Sequence, residues 1–144
     1  MTDLIDPMPP EAGDSAPWTP NAPRSWSAAV WRGLKGHCPR CGEGRLFRAF
    51  LKVADTCLAC GEELHHQRAD DAPPYFTILI VGHIVVPAVL LVETIFRPPL
   101  WVHMSIWTPV TLLLALTFLP IVKGGVVGLQ WALRMHGFGD TPDD

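Results

Sequence analysis

Residues 73–122 hold only two charged side chains, Glu93 and Arg97, and two histidines, whereas the charges of the chain crowd before and after them. Two apolar runs fill this interval, YFTILIVGHIVVPAVLLVETIF at 75–96 and WVHMSIWTPVTLLLALTFLPIV at 101–122. At about 1.5 Å per residue each reaches roughly the 30 Å of a bilayer core. Neither run has the polar face of a helix packed on a soluble core. The pattern therefore predicts a mainly α membrane protein built on a two-helix transmembrane hairpin, closed by a tight turn around Arg97, Pro98 and Pro99. Pro87, Pro109 and Pro120 do not veto the spans, because neighbouring side chains and a packed partner helix can satisfy the carbonyls they free. Trp101 and Trp107 sit where interfacial anchors are expected.

After Val122 the pattern changes. In KGGVVGLQWALRMH, 123–136, Lys123, Gln130 and Arg134 share one side of a helical wheel and Val126, Leu129, Trp131 and Leu133 lie elsewhere. This predicts a separate amphipathic helix in the membrane interface. The Gly124 to Gly128 spacing allows close helix packing, but a break where the chain leaves the membrane is the reading adopted. A shorter amphipathic segment, 24–36, sets Trp26, Val30 and Trp31 beside Arg32 and Lys35 and is expected to dock on the same surface.

Composition closes the two ends. Residues 1–23 carry four acids, no Lys or Arg and six of the fifteen prolines, which predicts a disordered tail. They also lack the basic and apolar regions of a cleaved signal peptide. A second short tail is expected at 137–144. Of the eleven Lys and Arg residues, ten flank the hairpin on its N- and C-terminal side and only Arg97 lies in the turn. That asymmetry places both termini in the cytoplasm.

The four cysteines stand in CPRCGEGRLFRAFLKVADTCLACGEEL, as Cys38, Cys41, Cys57 and Cys60. The C-x2-C-x15-C-x2-C spacing is that of a four-thiolate metal site, and Gly42 and Gly61 follow each pair where a left-handed backbone lets N–H groups approach sulfur. Zinc would complete the tetrahedron and leave no open position. Iron in a rubredoxin-like site is the minor alternative, since four sulfurs suit either metal. Structural disulfides conflict with a cytoplasmic location, and a thioredoxin-like pair lacks its βαβ scaffold. Between the pairs Leu46, Phe47, Phe50, Leu51 and Val53 suffice for a β-hairpin and not for a core, so residues 37–66 are expected to form a small ribbon folded by its metal. His37, His65 and His66 beside it are read as exposed loop histidines.

Five further polar residues merit roles. His83 falls deep in the first span and is read as a neutral imidazole bonded to a backbone carbonyl or to a threonine of the second helix. Glu93 and His103 lie near the outer interface beside Arg97, where snorkelling and pairing with Arg97 is the plain expectation and a proton or metal site formed by Glu93 and His103 is the alternative. Asp70 and Asp71, just before the first span, serve as an N-terminal helix anchor or as a contact for a cation or a partner, and a contact of that kind is the alternative role for His83. No nucleophile elbow, phosphate loop, H-E-x-x-H helix or paired carboxylates occur, so a non-enzymatic role is expected.

The ordered set of the cysteine stretch, ADDAPPYF, GHIVVP and PIVKGGVVGLQWALRMH resembles the bacterial domain-of-unknown-function 983 family over roughly residues 30–137. The resemblance implies a small inner-membrane protein with a cytoplasmic zinc ribbon and no assigned reaction, encoded in some bacteria beside cytochrome oxidase assembly genes. The four cysteines match the family pattern; Ala72 stands where the usual text has glycine. The expected function is a non-catalytic adaptor or assembly factor for membrane complexes, including those of cytochrome oxidase biogenesis, with a membrane-protein partner. Metal or cofactor handling is the alternative. A nucleic-acid-binding ribbon is a third, weakened because Arg40, Arg45, Arg48 and Lys52 at a membrane serve topology and anionic lipid headgroups.

Overall fold

The computed structural model describes residues 23–68 and 71–138. Most of the tail expected at 1–23, together with Asp70 and residues 139–144, lies outside the described residues. The order is α1 (Trp26–Leu34), β1 (Phe47–Ala49), β2 (Lys52–Val53), α2 (Ala72–Phe96) and α3 (Leu100–Ala132). The protein is thus mainly helical, with two long apolar helices and a two-stranded sheet.

α1 starts at Ser25, whose hydroxyl accepts from the Ala28 N–H and satisfies one free donor of the first turn. β1 and β2 form the hairpin expected between the cysteine pairs, with Phe47 opposite Val53 and Ala49 opposite Lys52. Bridges between His37 and Arg45 and between Thr56 and Glu63 extend this pairing toward the two knuckles.

α2 begins earlier than the apolar run suggests, because Pro73 and Pro74 occupy its first turn. Proline is at home there, since the first N–H groups of a helix have no internal acceptor. Ala72 is the first helical residue, and a helical backbone is as open to alanine as to glycine. Pro87, Pro109 and Pro120 lie inside continuous helices. Arg97 ends α2 in the left-handed region at φ 45°, and Pro99 caps the start of α3. The connection is the tight turn expected.

Both long helices have the length and composition to cross a membrane, and only 11% and 17% of their most apolar windows are buried within the chain. α2 buries Pro73, Thr77 and Val81, one helical stripe near its start. Toward the turn the helices are tied by polar groups. His103 Nε2 donates to Glu93 Oε2 at 2.9 Å, and Trp107 Nε1 donates to His103 Nδ1 at 3.1 Å. Glu93 therefore pairs with His103, where the sequence suggested Arg97.

The separate interfacial helix expected at 123–136 does not form. α3 runs through Lys123 and both glycines to Ala132, a single helix of 33 residues, about 50 Å by helical rise. The physical reason is α1. Gly33 lies against Gly124, Ala29 against Gly128, and the Leu34 side chain against Gly125. A Cβ on Gly124 would come within 2.0 Å of the Gly33 carbonyl oxygen, so the two backbones meet where side chains cannot fit. Gln130, read as part of a solvated stripe, is buried, and its Oε1 accepts from the Arg68 N–H at 3.2 Å. The C-terminal tail also starts later than residue 137, because Phe138 is buried in the core.

That core is shared. Leu46, Val53, Leu64, Cys38 and Cys57 of the ribbon join Ala29 of α1, Val127 and Trp131 of α3, and Phe138. The ribbon has no interior of its own; it closes over the junction of α1 with the last turns of α3.

Candidate metal centre

Each cysteine pair is shaped by its local backbone. In the first, Gly42 N–H donates to Cys38 O and Cys38 N–H to Gly44 O; in the second, Gly61 N–H donates to Cys57 O and Cys57 N–H to Glu62 O. Gly42 and Gly61 take φ 74° and 72°, the left-handed conformation that glycine adopts without strain. The two turns are near copies and present their sulfurs to one point.

All four Sγ atoms lie within 4.8 Å of one another. Cys38 to Cys60 and Cys41 to Cys57 are both 3.8 Å apart, far beyond a disulfide bond, and all four cysteines are free thiols. A tetrahedron with metal–sulfur bonds of about 2.3 Å has edges of about 3.8 Å. The donor set and its spacing thus fit a four-coordinate metal held by Cys38, Cys41, Cys57 and Cys60.

The thiols differ in environment. Burial pushes Cys38 well above the ordinary thiol range, against the N–H groups of Cys41 and Arg40 that favour its thiolate. Burial also raises Cys60, to about 11, with the Glu62 N–H opposing. For Cys41 burial acts upward too, but the N–H groups of Gly44 and Glu43 and hydrogen bonds with Cys60 and Cys57 outweigh it and bring the thiol down to about 7.

Several residues that support the centre carry no sequence signature for it. Gly44 is one: a Cβ there would fall 2.2 Å from Cys57 Sγ, so the second glycine of CGEG leaves room for the opposite knuckle. Arg32 of α1 donates to the carbonyls of Pro39 and Arg40 at 3.3 and 2.7 Å, fastening the first knuckle to α1. Glu62 joins three parts. Its Oε2 pairs with Arg40 at 3.1 Å and its Oε1 accepts from Trp131 Nε1 at 2.7 Å. Arg24 stacks over the Trp131 ring at 4.4 Å and donates to the carbonyls of Trp131 and Phe138. Each acts on a group distant in the chain; Glu62 and Trp131 meet across 69 residues.

The other predicted positions are not brought to this centre. Asp71 caps α2 by position, without a side-chain hydrogen bond. His83 Nδ1 donates to Leu79 O at 2.7 Å, the backbone-carbonyl bond expected. His37 and His65 are exposed and His66 is half-buried, none among the four-cysteine donors.

Fold and site together define a class: a helical hairpin of two long apolar helices carrying a four-cysteine knuckle pair at one end. The chain belongs to the family described as "Protein of unknown function (DUF983)", whose match covers residues 47–131, more than half of the sequence. The match spans the second cysteine pair, α2 and α3 to Trp131, and begins after Cys38 and Cys41. No curated protein and no solved structure matches the chain.

Proposed function

We propose that this protein is a non-catalytic adaptor of the bacterial inner membrane, in which a zinc-bound ribbon is presented at the cytoplasmic face to a membrane-protein partner. The observation that carries the reading is the fusion of ribbon and hairpin into one packed body. Glu62 and Trp131 join the second knuckle to α3, and the glycine contacts join α1 to the same helix. A ribbon held this way moves with the hairpin, which suits a docking surface of fixed height above a bilayer.

Membrane insertion is supported by the small buried share of both long helices, since a core helix of a soluble protein is mostly covered. In water, side chains such as Ile78, Leu91, Ile95 and Leu113 would leave a continuous apolar surface exposed. Orientation follows the ten-to-one distribution of basic residues, with both termini and the thiols on the reducing side. Zinc is preferred for its four-sulfur coordination, and a closed shell leaves no position for substrate, which favours scaffold over catalyst.

At the tips of the ribbon, Leu58 between the second cysteines is 99% exposed, and Phe50 projects from the hairpin turn. These apolar tips suit a protein partner. Part of the basic charge a nucleic acid would use is already engaged, since Arg40 pairs with Glu62, Arg48 with Asp55, and Arg32 with two carbonyls.

The test is photo-crosslinking in cells from positions 50 and 58 of the full chain. A defined set of membrane-protein adducts is expected, absent when Cys57→Ser disrupts the ribbon. The same adducts from the full chain carrying Cys57→Ser would reject the adaptor role. If the complex it helps to assemble is cytochrome oxidase, a deletion strain should lose oxidase activity, and normal activity would remove that target.

A further inference from the structure

Three residues past Cys60 stands a second group of metal-ligating side chains that the four-cysteine centre does not use. Glu63, His65 and His66 each offer one donor atom, and these atoms lie within 4.8 Å of one another. We infer that Glu63, His65 and His66 form a second metal site, open to solvent, for a divalent transition ion that prefers imidazole and carboxylate donors.

The geometry is close to what such an ion requires. Glu63 Oε2 and His66 Nε2 are 3.2 Å apart. Around a tetrahedral ion with bonds of about 2.0–2.1 Å, neighbouring ligand atoms stand about 3.3 Å apart. The His65 ring lies beside that of His66, with centroids 4.0 Å apart and planes at 36°, and being exposed it is free to turn its lone pair toward the same point.

The backbone beneath these side chains is fixed, so coordination orders little chain. Leu64 N–H and His65 N–H both donate to Asp55 O, at 2.8 and 3.1 Å, while the Leu64 side chain is fully buried. Glu63 is bridged to Thr56 next to the second knuckle. His66 is packed on its far side against Phe138, edge to face at 6.0 Å, and a Cβ added at Gly137 would lie 2.9 Å from His66 Nδ1, so that nitrogen is on the Gly137 side of the ring. Nε2 is the nitrogen that faces Glu63.

The donor chemistry separates the two centres. Two imidazoles and a carboxylate suit Zn²⁺, Co²⁺, Ni²⁺ or Cu²⁺, and three protein ligands leave at least one position for water or an exchanging ligand. The four thiolates close their ion off. The ribbon would then carry a sequestered ion and an exchangeable one on the same short stretch of chain. This goes beyond the adaptor role and does not depend on it.

The test uses full-length protein freed of any affinity tag, in detergent, with its cysteine centre first filled with zinc, and titrates Co²⁺ by calorimetry and absorption. One equivalent is expected to bind in the micromolar range without thiolate-to-cobalt charge-transfer bands and without release of zinc. His65→Asn and His66→Ala should each weaken it at least about tenfold. His65 is exposed, so His65→Asn keeps the test meaningful if His66→Ala disturbs the packing against Phe138. No cobalt bound by the zinc-filled protein, undiminished binding by both variants, or thiolate bands that report displacement of zinc would each overturn the site.

Discussion

A thiol that burial makes hard to ionise surrenders its proton chiefly to a metal, and this sets how the cysteine centre responds to pH. Cys38 and Cys60 are raised by burial above the ordinary 9.0, while Cys41 stands at about 7. At neutral pH the metal-free protein therefore keeps protons on Cys38 and Cys60, while Cys41 gives up its proton most readily of the three. Metal binding expels them, so the apparent affinity should rise by at least about a hundredfold per pH unit above 7, and more steeply below 7 where Cys41 is also protonated. In the metal-free fold the signs differ by residue. The raised Cys60 stabilises below its unfolded value and loses that contribution as pH rises toward 11; the lowered Cys41 stabilises above 9 and loses its share as pH falls through 7. Competition with a chromophoric chelator between pH 6 and 8.5 measures the slope, and a dependence of one proton or fewer would contradict these environments. The four ligands and Gly42 and Gly61 were legible in the sequence because a knuckle is local, closed within a few residues. Gly44, Arg32 and Glu62 were not, because each acts on a group that only the tertiary fold brings near.

Helix α3 shows how a tertiary partner overrides a helical pattern. Lys123, Gln130 and Arg134 make a plausible polar stripe, and two glycines make a plausible break, yet both features belong to one continuous helix packed on α1. The glycines are an interface. Close approach of backbones leaves nothing flexible to yield, since an added Cβ would meet carbonyl oxygens at 2.1 Å from Gly33 and 2.4 Å from Gly128. Gly33→Ala and Gly128→Ala should each destabilise the chain by about 1–3 kcal/mol, the usual range for overpacking. Gly82→Ala is the control: open space surrounds that position, and alanine is the better helix former, so stability should hold or rise slightly. Thermal unfolding followed by tryptophan fluorescence separates these outcomes, and equal behaviour of Gly82 and Gly128 variants would refute the interface. The long helices were legible because twenty-odd apolar residues admit few alternatives. α2 starts three residues before the apolar run because Ala72, Pro73 and Pro74 form its first turn, and α1 shows only its amphipathic character in the sequence, since Ala29 and Gly33 reveal their role only beside Gly124 and Gly128.

At the scale of the whole molecule the question is whether ribbon and hairpin stand or fall together when the metal leaves. The sequence leads one to expect a module folded by its ion, because the segment between the cysteine pairs has too few apolar residues for an interior. The structure adds that the ribbon borrows its interior from α1 and α3, with Leu46, Val53 and Leu64 packed in one cluster with Val127 and Trp131. Structural zinc contributes on the order of 10 kcal/mol to folding, more than this small apolar set can replace. The helices do not share that dependence: none of the four ligands lies on α1, α2 or α3, and the glycine contacts between α1 and α3 involve no metal. Removal of the metal should thus melt residues 37–66 and release Trp131 Nε1 from Glu62 while the helices persist. The expected record is a nearly unchanged helical circular dichroism signal, a shift of tryptophan emission to longer wavelength, and new proteolytic cleavage confined to the segment between His37 and His66. Restoring zinc should reverse all three. Loss of helicity in step with the metal would show instead a single cooperative unit, and unchanged protection of the ribbon would show that the four thiols, spaced as they are at 3.8 Å, need no ion to hold their place.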